Sequence, residues 1–103
     1  MPNATRVAAT KDVPPGKAVA VSVGNKRIAL FNVNGQYYAI DDECTHDGGP
    51  LSEGELAGTI VTCPWHGATF EVKTGDVLSD PAYEKVNSYK VEVEGQEIKI
   101  VVP

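Results

Sequence analysis

Cysteine and histidine are scarce in this chain, with only two of each among 103 residues. Two cysteines in a chain destined for a reducing compartment argue against a structural disulfide between Cys44 and Cys63 and for metal or redox chemistry instead. No stretch of 18 apolar residues occurs, which excludes a membrane-spanning helix. The opening MPNATRVAATKDVPPG has no apolar run of signal-peptide length, so a cytoplasmic, soluble protein is expected. Basic residues are also few. Nine Lys and Arg stand against fourteen Asp and Glu, a formal charge of -5 with no basic cluster, which excludes nucleic-acid phosphates and anionic membranes as natural partners. A sustained 3.6-residue period is missing too, leaving room for at most one short helical turn.

What is present is the composition of an ordinary globular protein, with 42% apolar and 22% charged residues, and a length that builds one core and one domain over residues 1–103. The apolar residues recur with period two. Ala18, Ala20 and Ser22 alternate with Val19, Val21 and Val23. RIALFNV, an Asn34-Gly35 pair and QYYAI together predict a hairpin. SYKVEVE and EIKIVV around Gly95 predict a second one, with Tyr89, Val91 and Val93 facing one way and Lys90, Glu92 and Glu94 the other. TIVT at 59–62 and TFEV at 69–72 read as two shorter strands, with a turn at Thr74-Gly75. Short strands punctuated by turns predict an antiparallel all-β sandwich or small barrel. Residues 42–57, rich in glycine and acids, read as a loop held by that scaffold.

Both cysteines and both histidines fall within the 23 positions from Cys44 to His66. Cys44 and His46 are one residue apart, Cys63 and His66 two, and 16 residues separate the pairs. A local pair lets one loop offer two donors at little entropic cost, and the intervening segment can bring two such loops face to face. Three readings of the donor set are open at this point. A tetrahedral zinc site is one. A [2Fe-2S] cluster with both thiolates on one iron and both imidazoles on the other is the second, and a mixed pair on each loop suits it. Small buried cysteines and surface histidines with no ligand are the third.

CTH followed by CPWHG resembles the Rieske signature of Cys-x-His and Cys-x-x-His. GGPLSEG and GATFEVKTG are similar to the soluble Rieske-type ferredoxins that serve bacterial aromatic-ring-hydroxylating dioxygenases. The resemblance covers essentially the whole chain, and residues 44–70 are its diagnostic part. It implies an all-β, Rieske-type antiparallel β-sandwich with a small cluster-binding subdomain of two loops, at about 42–57 and 63–70. Cys44 and Cys63 would ligate one iron of a single [2Fe-2S] cluster and His46 and His66 the other through their δ nitrogens. It further implies a one-electron carrier, not an enzyme, that receives electrons from an NAD(P)H-dependent flavoprotein reductase and gives them to a terminal ring-hydroxylating oxygenase. A monomer suits such a shuttle. The small subunit of an NAD(P)H nitrite reductase is a related possibility, and a zinc-stabilised binding module is one of another class.

Other residues are expected to tune the site. Gly48, Gly49 and Gly67 would let the loops turn tightly and bring backbone N–H groups to sulfur. Pro50 and Leu51 on one loop, with Pro64 and Trp65 on the other, would shield the cluster from water. The plainer role for Trp65 is core packing. High-potential members of the family carry an extra cysteine in each loop and hydroxyl donors after the second His. The corresponding positions here are Gly49 and Trp65, then Ala68 and Phe70. Fewer donors to the reduced cluster imply a potential near the low end of the Rieske range, roughly -150 mV. Finally, Asp41, Asp42, Glu43, Asp47, Glu53 and Glu55 place six acids in 15 residues, which reads as a docking surface for basic partners or simply as a solvated loop.

Overall fold

The computed structural model describes residues 3–43, 49–65, 67–79 and 85–102. Nine strands are found among them: β1 (Asn3–Ala9), β2 (Ala18–Val23), β3 (Lys26–Val33), β4 (Gln36–Asp41), β5 (Glu55–Ala57), β6 (Ile60–Thr62), β7 (Thr69–Glu71), β8 (Ser88–Glu94) and β9 (Glu97–Val102). Six of them form one antiparallel sheet in the order β1-β9-β8-β4-β3-β2, and β5-β6-β7 form a second. Two single 3-10 turns, Thr10–Asp12 and Leu51–Glu53, complete the regular structure. No helix among the described residues is long and apolar enough to cross a membrane.

The predicted hairpins are present. Val33 pairs with Gln36, so the loop between β3 and β4 is the two residues Asn34 and Gly35, both at positive φ (52° and 91°), as a type I′ turn requires. Asn32 secures that corner: its side-chain carbonyl accepts the Gly35 N–H at 2.7 Å and its amide donates to the Val13 carbonyl at 2.7 Å, which satisfies a buried polar side chain.

The uninterrupted apolar run Ile28-Ala29-Leu30-Phe31 explains the architecture. All four are buried, because β3 is covered on both faces. Ile28 and Leu30 join Ala8, Val13, Ala39, Ile98 and Ile100 in one core. Ala29 and Phe31 point the other way, into a second core with Ile40, Leu51, Val61, Cys63, Ala68, Phe70, Val72 and Val86. That second core is the layer between the large and small sheets.

Two strands differ from the sequence expectation, and two single 3-10 turns stand where at most one short helical turn is expected. β1 is not predicted by the sequence, since NATRVAA alternates weakly; its strand form comes from pairing with β9 along the sheet edge, with an irregularity between Arg6 and Ala8. Residues 42–57 are not one loop. The Leu51–Glu53 turn and β5 lie inside it, β5 being specified by its partner, with Glu55 opposite Thr62 and Ala57 opposite Ile60.

Candidate metal centre

The small sheet exists to hold a hairpin loop. Thr62 on β6 pairs with Thr69 on β7, which leaves residues 63–68 as the connection. The Cys63 N–H donates to the Ala68 carbonyl at 2.7 Å, and the Gly67 N–H donates to the Cys63 carbonyl at 3.1 Å. Gly67 sits at φ 82°, a backbone region that favours glycine, so its role as a turn residue is found. Its amide, however, is engaged with that carbonyl rather than delivered to sulfur as expected. Cys63 is 1% exposed and belongs to the core between the sheets. Behind it, the segment after the Thr74-Gly75 turn runs back along β7: Leu78 N–H donates to Thr69 O at 2.8 Å, and the Ser79 hydroxyl lies 2.7 Å from that of Thr69.

The first loop is closed in a comparable way. Glu43 and Pro50 form an antiparallel bridge, and the Leu51 N–H donates to the Asp42 carbonyl at 2.6 Å. Cys44, His46, Asp47 and Gly48, and His66 on the second loop, lie outside the described residues. What is seen is the contact between the loops. A methyl group in place of a Gly49 hydrogen would stand 2.8 Å from the Cys63 sulfur and 3.1 Å from the Trp65 indole carbons. Only a residue without a side chain leaves this space beside the sulfur.

Of the shielding residues, Leu51 is fully buried and Pro50 half-buried, while Pro64 and Trp65 are exposed. Trp65 is 57% exposed, so it is not a core residue; it lies against Gly49 with much of its ring in solvent. Ala68 and Phe70, at the positions where hydroxyl donors were sought, are fully buried apolar side chains.

The acidic run divides. Glu43, Glu53 and Glu55 are exposed, as a docking surface needs. Asp42 is not on the surface at all. It is 1% exposed, and its side chain accepts the Ser52 N–H at 2.7 Å and lies 2.8 Å from Arg27 Nε. Asp41 is half-buried and committed to β8, accepting the Tyr89 hydroxyl at 2.5 Å and the Asn87 N–H at 3.0 Å. Burial, and next the bond and charge of Asp41, push the Tyr89 phenol well above its ordinary range. Strand alternation explains the division, since neighbours on a strand face opposite ways. Period-two reading of IDD could have flagged it, but the sequence offers no sign that Arg27 lies across from Asp42.

The Rieske [2Fe-2S] domain model matches residues 3–90. The biphenyl dioxygenase ferredoxin subunit of Pseudomonas sp. (strain KKS102) is 39% identical over 97 residues, which is 93% of this chain and 89% of that protein. The 3-phenylpropionate/cinnamic acid dioxygenase ferredoxin subunit of Escherichia coli (strain K12) is 45% identical over 93 residues, 89% of this chain and 87% of that protein. A chain in the solved complex of reduced oxygenase and oxidized ferredoxin in carbazole 1,9a-dioxygenase superposes with a TM-score of 0.88 at 38% identity, covering 94% of this chain and 91% of its own length. A candidate NADH-dependent nitrite reductase small subunit from Mycobacterium tuberculosis superposes with a TM-score of 0.90 at 23% identity over 100% of this chain and 97% of that one, a likeness of fold alone.

Proposed function

The chain belongs to the Rieske [2Fe-2S] domain family, and on that premise we propose that it works in the cytoplasm as the ferredoxin of an aromatic-ring-hydroxylating system. In this reading it takes single electrons from an NAD(P)H-dependent flavoprotein reductase and passes them to a terminal oxygenase, performing no reaction of its own. The cofactor is a [2Fe-2S] cluster, which supplies reversible one-electron redox chemistry. Zinc-site chemistry therefore drops out as an alternative. Cys44 and Cys63 would hold one iron and His46 and His66 the other.

The observation that carries the proposal is the meeting of the two loops at Gly49, Cys63 and Trp65. The residues fit the group. A buried sulfur lies where the loops touch, a glycine keeps the space beside that sulfur clear, and each loop brings one Cys and one His. The protein's part is to keep these donors still and the Cys63 sulfur dry. Pro64 and Trp65 are exposed, and so are Glu43, Glu53 and Glu55, which gives a partner an apolar contact beside negative charge. With Ala68 and Phe70 offering no hydroxyl to the site, the midpoint potential is expected near the low end for such clusters, roughly -150 mV.

Visible absorption, low-temperature EPR before and after dithionite, and iron and zinc content of the purified protein test the reading. Two irons per chain and a paramagnetic signal on reduction are expected; a colourless protein with one zinc would overturn it. Electron delivery to reductase and oxygenase should slow as salt screens the acidic surface, and rates insensitive to salt would remove the electrostatic part.

A further inference from the structure

Among the described residues Asp42 makes four contacts, all at the base of the first ligand loop. Its N–H donates to the Arg27 carbonyl at 3.0 Å and its carbonyl accepts the Leu51 N–H at 2.6 Å. One carboxylate oxygen accepts the Ser52 N–H at 2.7 Å, and the other lies 2.8 Å from Arg27 Nε. That last approach is an ion pair not aligned as a hydrogen bond, so the second oxygen is compensated by charge. We infer that the Asp42–Arg27 pair is the positioning device of the cluster: it joins both ends of the loop 43–50 to β3 and so sets where that loop meets Cys63. This rests on the reading that Cys44 and His46 in this loop hold the cluster.

The argument is one of cost. A carboxylate that is 1% exposed is expensive to bury. A neutral acceptor would have satisfied Ser52 and closed the turn. The charge adds one thing an amide cannot, which is to draw the guanidinium of Arg27, itself 58% exposed, across the base of the loop. Leu51, held by Asp42 through its amide, is fully buried in the core that contains Cys63. One residue therefore registers the first loop against both the large sheet and the second loop, as outer-shell partners of metal ligands do.

Four variants of the whole protein test this: Asp42→Asn, which keeps an acceptor for Ser52 and removes the charge, Arg27→Gln, Arg27→Lys, and the double variant of Asp42→Asn with Arg27→Gln. Cluster loss into a chelator, followed by visible absorption, should be about tenfold faster in Asp42→Asn and Arg27→Gln. Arg27→Lys should recover most of the parent lifetime. The double variant should be no worse than either single one, because both remove the same contact. The midpoint potential should rise in Asp42→Asn, where a cation is left, and fall in Arg27→Gln, where an anion is left. A role confined to folding would not move it in opposite directions. Amide exchange at Leu51 and Ser52 should quicken in both variants, and this readout needs no cluster. Parent-like lifetimes and exchange, or potentials that shift the same way, would overturn the inference. Should Asp42→Asn not fold, Arg27→Gln decides alone, since its side chain is largely solvent-facing. Iron content of the parent judges the proposed function separately.

Discussion

The six-stranded sheet and the three-stranded one are stabilised by different means. Strands of the first run from six to eight residues and enclose a core of their own, from Ala8 and Val13 to Ile98 and Ile100. Those of the second are three residues each, too short to stand alone. The small sheet persists because it buries Val61 and Phe70 against the outer face of β3 and β4, together with Cys63. Stability and electron carriage therefore meet on one strand. Leu30 serves the closed core and Phe31, the next residue, serves the core that carries the candidate ligand. The lesson is that a long-lived scaffold can carry a small, dependent ligand platform when a single strand is buried on both faces.

Substituting each of those neighbours is the strongest way to break the comparison. Phe31→Ala should cost about 3–5 kcal/mol and Leu30→Ala about 2–5 kcal/mol in unfolding free energy. Only Phe31→Ala should also shed the cluster from molecules that remain folded. Thermal melts followed in parallel by far-ultraviolet circular dichroism and by cluster absorbance would show it, the two probes separating for Phe31→Ala and coinciding for Leu30→Ala.

Gly49→Ala is a smaller and more local challenge. The added carbon would meet the Cys63 sulfur at 2.8 Å and the Trp65 ring at 3.1 Å, so either the sulfur or the indole must shift. Cluster retention should fall about tenfold, as for a disturbed outer contact of a metal ligand, and the unfolding free energy should fall by about 1–3 kcal/mol, the cost of overpacking a buried contact. Absorbance against protein concentration checks the first and circular dichroism the second.

The mildest test lies in the large sheet. Tyr89→Phe removes the hydroxyl that binds Asp41 and should cost about 1 kcal/mol at neutral pH. The folded phenol titrates above its unfolded value near 10 because of burial and then Asp41. Its contribution is thus complete below pH 10 and declines as pH rises toward the folded value, the unfolded chain losing its proton first. Denaturant titrations above pH 10 should therefore fall less steeply for Tyr89→Phe than for the parent.

The sequence made the large sheet's hairpins legible because alternation and the Asn34-Gly35 turn are local signals. It also disclosed the ligand pairs, whose spacing is local too. β1 is hidden because its strand form depends on a distant partner, β9, whereas β5 pairs with β6 across the two-residue turn Gly58-Thr59 and is hidden because three residues are too short a run to show a period. Gly49 was picked out by its place in a motif, but the reason for a missing side chain there, the sulfur across the loop, is visible only in three dimensions. In the sequence Asp42 is indistinguishable from its acidic neighbours that form the surface. Its burial follows from Arg27 and Ser52, residues 15 positions before and 10 after it, which no window on the run of acids connects.

Trp65 is the sole tryptophan of the chain, and it rests on Gly49 beside the Cys63 sulfur with more than half its surface in water. The molecule therefore carries its own optical gauge. With a cluster held by the neighbouring Cys63 sulfur, indole emission would be drained; with the cluster gone, the same ring would emit at the long wavelengths of a hydrated indole. Loading, loss and partner docking at this tip can all be followed from one native fluorophore, without a label.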